Sequence, residues 1–216
     1  SVDDEIEITN KLVLSKIQKN TARYDKTGEQ HYDIISAFIK SIRGSDPNAA
    51  VYWLARMIEG GEDVKFIARR MLILASEDIG NANPTALIFA NNTFQAVSII
   101  GHPESRIILS QCAVYLSNSA KSNASYLAIG KAQDLVRKTG DLSVPLSLRN
   151  APSKLMKDLD YGKEYKYSHN YPNNFVDQEF MPDEISGTKL YEPGENQREN
   201  QFKELLKNRW KGKYDY

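Results

Sequence analysis

Apolar residues recur at helical spacing over residues 31–63, HYDIISAFIKSIRGSDPNAAVYWLARMIEGGED. Ile35, Phe38, Ile39 and Ile42 fall three or four residues apart and share one helix face. Arg43-Gly44-Ser45 breaks that helix, and Asp46-Pro47 restarts it. The Asp46 carboxylate can accept from the free N–H groups of a first turn, and Pro47 suits the first helical position, where the missing N–H has no partner to lose. Ala50, Leu54, Met57 and Ile58 supply the next apolar face, and Gly60-Gly61 ends it.

The same punctuation continues. Glu62-Asp63 starts a segment that stops at Gly80, Asn83-Pro84 opens one closed by Gly101, Pro103 opens one that weakens at Ser117-Asn118, and Ser122 or Asn123 opens one closed by Gly140. With the helix from Pro47, this predicts five successive helices between about 47 and 139, joined by loops short enough to make neighbours antiparallel. IARRMLILA and RIILSQCAVYL are apolar almost all round, which places them centrally in a bundle or against another subunit. One short helix is expected around 9–18 and a polar linker at 21–30, TARYDKTGEQ. From Val144 the texture changes: five prolines interrupt the chain, and seven of the 12 tyrosines lie at or beyond Tyr161. That pattern predicts a short helix near 152–159, an irregular strap to about 194 with room for a few strand residues, and a last amphipathic helix at 195–210. The fold class is all-α, an antiparallel helical bundle with an irregular C-terminal strap.

Composition narrows the classes. Hydrophobic residues make up 41% and charged residues 26%, ordinary for a globular chain long enough to bury a core. Lys+Arg and Asp+Glu are equal at 28, so any attraction to nucleic acid must be local. Cys112 is the only cysteine, which rules out an intrachain disulfide and fits a reducing compartment. No apolar run is long enough to span a bilayer. The start, SVDDEIEI, lacks the basic and apolar regions of a signal peptide and has no initiator Met, as expected of a piece of something longer.

The first block also resembles the start of the C-terminal region of a known family, and three further stretches match in order: FIARRMLILASEDIGNANP at 66–84, RIILSQCAVYLSNSAKSNASYLAI at 106–129, and VPLSLRNAPSKLMKDLDYGKEYKYSHNYPNNFVDQEFMPDE at 144–184. The family is the RarA/MgsA (replication-associated recombination protein A; Werner-helicase-interacting protein) group of AAA+ ATPases. Ala120 replaces the usual proline before KSN, and Asn91-Asn92 is more polar than expected. The resemblance implies a collar-like helical domain that gathers the protein into a homotetramer. Residues 1–25 would end the lid-associated part and 26–216 would form the oligomerisation domain. It further implies action at stalled replication forks in the bacterial cytoplasm, near the nucleoid. Association with DNA and with single-stranded-DNA-binding protein would come through the full-length protein. ATP and Mg would belong to a module upstream.

The chain's own residues carry no such chemistry. A phosphate-cradling loop needs GxxxxGK[ST]; Gly-Lys occurs at 130–131, 162–163 and 212–213, never with a glycine five residues earlier and Ser or Thr after it. His31, His102 and His169 lack the ligand spacing of a metal motif. Cys112, in an apolar helix, reads as a small buried hydrophobe rather than a reactive thiol. Glu77 and Asp78, adjacent on a helix, diverge too far to converge on one proton or metal, and one of them is expected to pair with Arg69, Arg70 or another chain. Arg43, Asn81 and Asn83 are expected to cap and fix turns. The candidates for DNA contact are basic: Arg69, Arg70, Lys121, Arg137, Lys138, Arg149, Lys154, Lys157, Lys163 and Lys166, the last two interleaved with Tyr165 and Tyr167. The alternative function is therefore a DNA-binding helical module. A free-standing helical enzyme is a third class that no motif supports. No catalytic, cofactor-binding or metal-binding residue is assigned, and this segment by itself is expected to be non-catalytic.

Overall fold

The computed structural model describes residues 9–10 and 29–216. The expected helix at 9–18 beyond Asn10, the expected linker at 21–30 up to residue 28, and the boundary near 25 lie outside the described residues; Glu29 and Gln30, expected in the linker, instead open the first described helix. Eight α-helices can be followed from residue 29 onward: α1 (Glu29–Arg43), α2 (Pro47–Glu59), α3 (Val64–Leu74), α4 (Thr85–Ile100), α5 (Ser105–Ser117), α6 (Ala124–Thr139), α7 (Lys154–Asp158) and α8 (Gln197–Trp210). No strand occurs among the described residues.

The predicted punctuation is realised physically. Asp46 Oδ1 accepts the Asn48 and Ala49 N–H groups at 3.0 Å each, with Pro47 at the first helical position. Asp63 caps α3 through the Lys65 N–H. The segment expected to run from 63 to Gly80 is not uniform. Its α-helix ends at Leu74, a π-helical turn covers Ala75–Ile79, and a 3₁₀ turn covers Gly80–Ala82. Such wide turns mark places where packing overrides regular helix geometry.

The chain divides into two compact units. The first joins the described residues up to Ile79 with Pro84–Ala120. Here α5 is central and touches α1, α2, α3 and α4, while α1 also packs on α2 and α3. Its core includes Phe38, Ile42, Leu54, Met57, Ile67, Met71, Leu74, Leu109 and Leu116. Five side chains of α1 (Ile34, Ile35, Phe38, Ile39 and Ile42) are buried in it. Each such burial stabilises by about 1.5–3 kcal/mol, more than a surface ion pair at about 0–1 kcal/mol. The core, not charge pairing, therefore docks α1.

The second unit comprises Gly80–Asn83 and Lys121–Tyr216. α6 and α8 both pack on the turn at Gly80–Ala82. The 144–194 strap is built of 3₁₀ turns and extended links around the short α7, without the strand residues it had room for. Gly80, at φ +49°, sits where a Cβ would approach the Ser122 carbonyl oxygen to 2.9 Å.

Candidate functional site

Two kinds of feature could carry function: apolar surface and the basic residues. The apolar surface of the first unit centres on α4. Its sixteen residues, TALIFANNTFQAVSII, include no charged side chain. Ala86, Ala90, Thr93 and Val97 face the core. On the other side Leu87, Ile88, Ile99 and Ile100 are exposed, Ile99 to 85% of its full area. Ile88, Asn92, Gln95 and Ile99 follow helical spacing on one exposed stripe. α5 repeats the arrangement with exposed Ile107 and Val114 around Gln111 and ending at Asn118, and Arg106 is its only charge. Solvated helix faces ordinarily carry charge. Isolated exposed apolar residues need no explanation, but a charge-free face that mixes isoleucines with neutral amides is unusual for solvent.

The second unit is different. Ala124 and Pro193 are its only buried apolar residues among the described residues, while Tyr126, Leu127, Ile129 and Val136 of α6 are exposed. Its most enclosed side chain is a carboxylate, that of Glu199. Asn196 caps α8 by accepting the Glu199 N–H at 3.0 Å, and its amide donates back to Glu199 Oε2 at 2.6 Å. The Tyr191 hydroxyl donates to Oε1 at 3.1 Å, and Ser122 and the Gly194 N–H complete the set. Burial pushes the carboxyl up, but these donors outweigh it and hold the Glu199 pKa below the usual range. Burial and the Glu199 charge push the Tyr191 hydroxyl to about 12.

A second knot ties the C-terminal end. Glu179 accepts the Phe180 and Met181 N–H groups at 2.9 and 2.8 Å, the Ser186 hydroxyl, and Lys213 Nζ at 3.0 Å. Burial opposes ionisation there, yet the four donors bring its pKa down to about 2. Trp210 meets Phe175, Phe180 and Tyr214 edge to face. Sequence reading missed both knots, although Asn196-x-x-Glu199 is a recognisable capping pattern.

The basic candidates do not form one arrangement. Arg69 and Arg70 belong to the first unit and the other eight to the second. Arg69 is exposed; Arg70 is half-buried, with Nε enclosed and without a hydrogen-bond acceptor among the described residues. Arg149 is a structural strut: Nε donates to the Val144 carbonyl at 2.7 Å, Nη1 to the Tyr161 hydroxyl at 3.2 Å, and the guanidinium lies over the Tyr161 ring. Arg137 pairs with Asp134, and Lys163 with Asp160 at 3.2 Å. Lys121 is half-buried ahead of α6, whereas Lys138, Lys154, Lys157 and Lys166 are exposed.

Other expectations are adjusted. Asp78 pairs with Arg43, not with Arg69 or Arg70: Arg43 Nε lies 2.6 Å from Asp78 Oδ1. The Asp78 carboxylate raises the Arg43 pKa further, against burial. Arg43 and Asn81 thus act through side-chain partners rather than as backbone donors, Asn81 by donating to Ser125 Oγ at 3.1 Å and bonding Tyr191. Cys112 is buried as expected, its thiol pushed up to about 11 by burial against a hydrogen bond with Thr93. Among the described residues no group of three or more His, Cys, Asp or Glu could hold a metal ion, and no helix is long and apolar enough to cross a membrane.

The described residues form an all-helical module, with exposed apolar side chains on α4, α5 and α6. Residues 44–210 match the family model for the MgsA AAA+ ATPase C terminal, and residues 1–43 match that for an AAA C-terminal domain. Replication-associated recombination protein A of Coxiella burnetii is 44% identical over 196 residues, covering 90% of this chain and 44% of that protein. The Bacillus subtilis protein of that name is 45% identical over 195 residues, 89% of this chain and 46% of its own length. ATPase WRNIP1 of Dictyostelium discoideum is 43% identical over 189 residues, 87% of this chain and 22% of its own length. The chain belongs to the MgsA AAA+ ATPase C-terminal family, and it spans less than half the length of these relatives.

Proposed function

We propose that this chain is the assembly domain of an AAA+ ATPase that acts in replication-associated recombination. Copies join through their uncovered helix faces into a homotetramer, which holds the ATPase heads at fixed geometry. The observation that carries this reading is the charge-free α4, with Ile88 and Ile99 exposed. A second copy supplies the apolar cover that water does not. A specific association needs about 1,000 Å² or more of buried surface, and identical copies most often close symmetrically. ATP and Mg, in this reading, bind the AAA+ module of the longer protein, which also meets DNA and single-stranded-DNA-binding protein near the nucleoid. The DNA-binding alternative draws less support, since Arg137, Arg149 and Lys163 are engaged within the chain.

Light scattering on the purified chain at tens of micromolar tests the reading. The expected result is a mass near four copies. A strict monomer overturns it.

A further inference from the structure

Between α1 and α2 of the first unit lies a cleft of about 270 Å³, lined by Asp33 and Ile34 of α1 and by Trp53 and Arg56 of α2. Trp53 and Arg56 are three residues apart and share a helix face. The Arg56 guanidinium lies over the indole, with Cζ 5.3 Å from the ring centroid. Trp53 is half-buried against the core, and Tyr52 meets its ring edge to face at 5.0 Å. Asp33 and Arg56 are exposed, and among the described residues neither charge is held in an ion pair, although both line the one cleft. The volume falls just below the usual range of ligand sites, about 300–1,000 Å³. It therefore suits a single ring system or residue rather than a large cofactor.

We infer that this cleft is a binding site for a guanine base. A simple anion would be repelled by Asp33 and a simple cation by Arg56. A purely apolar group would strip water from both charges and replace it with nothing. The ligand that suits all four residues is flat, with paired donors on one edge and paired acceptors on the next. Guanine offers its N1–H and 2-amino group to a carboxylate, and its O6 and N7 to a guanidinium. Its ring face finds an apolar wall in Trp53 and Ile34. Adenine puts an acceptor where Asp33 needs a donor, and pyrimidines lack the O6 and N7 pair. The base reaches the cleft either in a free nucleotide or unpaired within a single strand. The site is complete in one copy and stands apart from the assembly reading.

The test follows the Trp53 indole N–H resonance of the full chain, assigned by its loss in Trp53→Phe and its retention in Trp210→Phe. The titrants are guanosine, inosine and adenosine monophosphates, glycine as a zwitterion without a ring, and a short oligothymidylate with and without one guanine. Guanosine monophosphate is expected to shift the resonance and to bind about tenfold more tightly than the inosine form, which lacks the 2-amino donor, or the adenosine form. Asp33→Asn and Arg56→Gln, both at exposed side chains, are each expected to weaken that binding about tenfold and to leave the helical circular dichroism unchanged. If the guanine-bearing strand binds more tightly than both the nucleotide and the guanine-free strand, the source is a base within a strand; otherwise it is the free nucleotide, and either result supports the site. The inference is overturned if guanosine monophosphate leaves Trp53 unmoved into the millimolar range, if inosine, adenosine or glycine matches it, or if Asp33→Asn binds as the wild type does.

Discussion

Charged side chains in this protein matter according to how many donors or counter-charges surround them. Glu199 and Glu179 are each satisfied by four partners, whereas Asp78 relies on Arg43. Removing Arg43 strands a buried charge, while Asp78→Asn leaves an amide. Arg43→Met is therefore expected to cost more stability than Asp78→Asn, but only by about 0.5–1 kcal/mol in urea unfolding, because the Arg43 side chain is half exposed and water reaches the pair. Glu179 ionises near pH 2 when folded, against 4.5 as its ordinary value. Its contribution is present above about pH 4.5 and is lost as the pH falls towards 2. Glu199, also lowered, acts in the same direction. Acid titration followed by the near-ultraviolet signal in a Trp53→Phe background, which leaves Trp210 as the single tryptophan, should show this loss, and Glu179→Gln should flatten the profile. At Gly194 a Cβ would lie 2.8 Å from Glu199 Oε2 and 3.0 Å from Ser122 Oγ. Gly194→Ala is expected to destabilise the second unit by about 1–3 kcal/mol through overpacking, read by thermal melting.

Helix boundaries were legible because they are set by local chemistry. Asp46 and Pro47 start α2 within the chain's own backbone, and no distant residue is needed. Asp46→Ala should lower stability by about 0.5–2 kcal/mol, the usual value of an N-cap, with the loss of helical signal confined to α2 by hydrogen exchange. The π-helical turn at Ala75–Ile79 was not legible. ASEDI continues the helical pattern of LILA without a breaker, and the widening follows packing against α4 and the reach of Asp78 to Arg43. The strap was read as irregular, which it is, but the Glu179 knot needs Lys213, 34 residues away, and the Glu199 knot at the start of α8 needs Tyr191, 8 residues away, and Ser122, far earlier in the chain.

For the whole molecule, the proposed assembly turns on the apolar side chains that are exposed in one copy. Ile88, Ile99, Ile107 and Val114 contribute little to the stability of one copy, since they are already exposed in it. Ile99→Lys and Ile88→Glu, whose charges suit their ends of α4, are therefore expected to leave the unfolding free energy of one copy within about 0.5 kcal/mol, and to remove the higher mass that the proposed assembly would show in sedimentation velocity. Because α4 carries no charge, association through it should hold between low and high salt, where a charge-driven contact would weaken. A monomer–oligomer balance that shifts strongly with salt would place the contact elsewhere.

Apolar periodicity and capping are properties of neighbouring residues, so the helices of the first unit, most of their ends and most of its core could be read from the chain alone, although the α-helical end at Leu74 could not. The sequence also determined the family, through an ordered set of matching stretches. Tertiary structure alone decided that Arg43 meets Asp78, that Glu199 is the enclosed centre of the second unit, and that Arg149 braces the strap. Each depends on which side chains the folded backbone brings within hydrogen-bonding distance across many residues, and a one-dimensional pattern does not encode that distance.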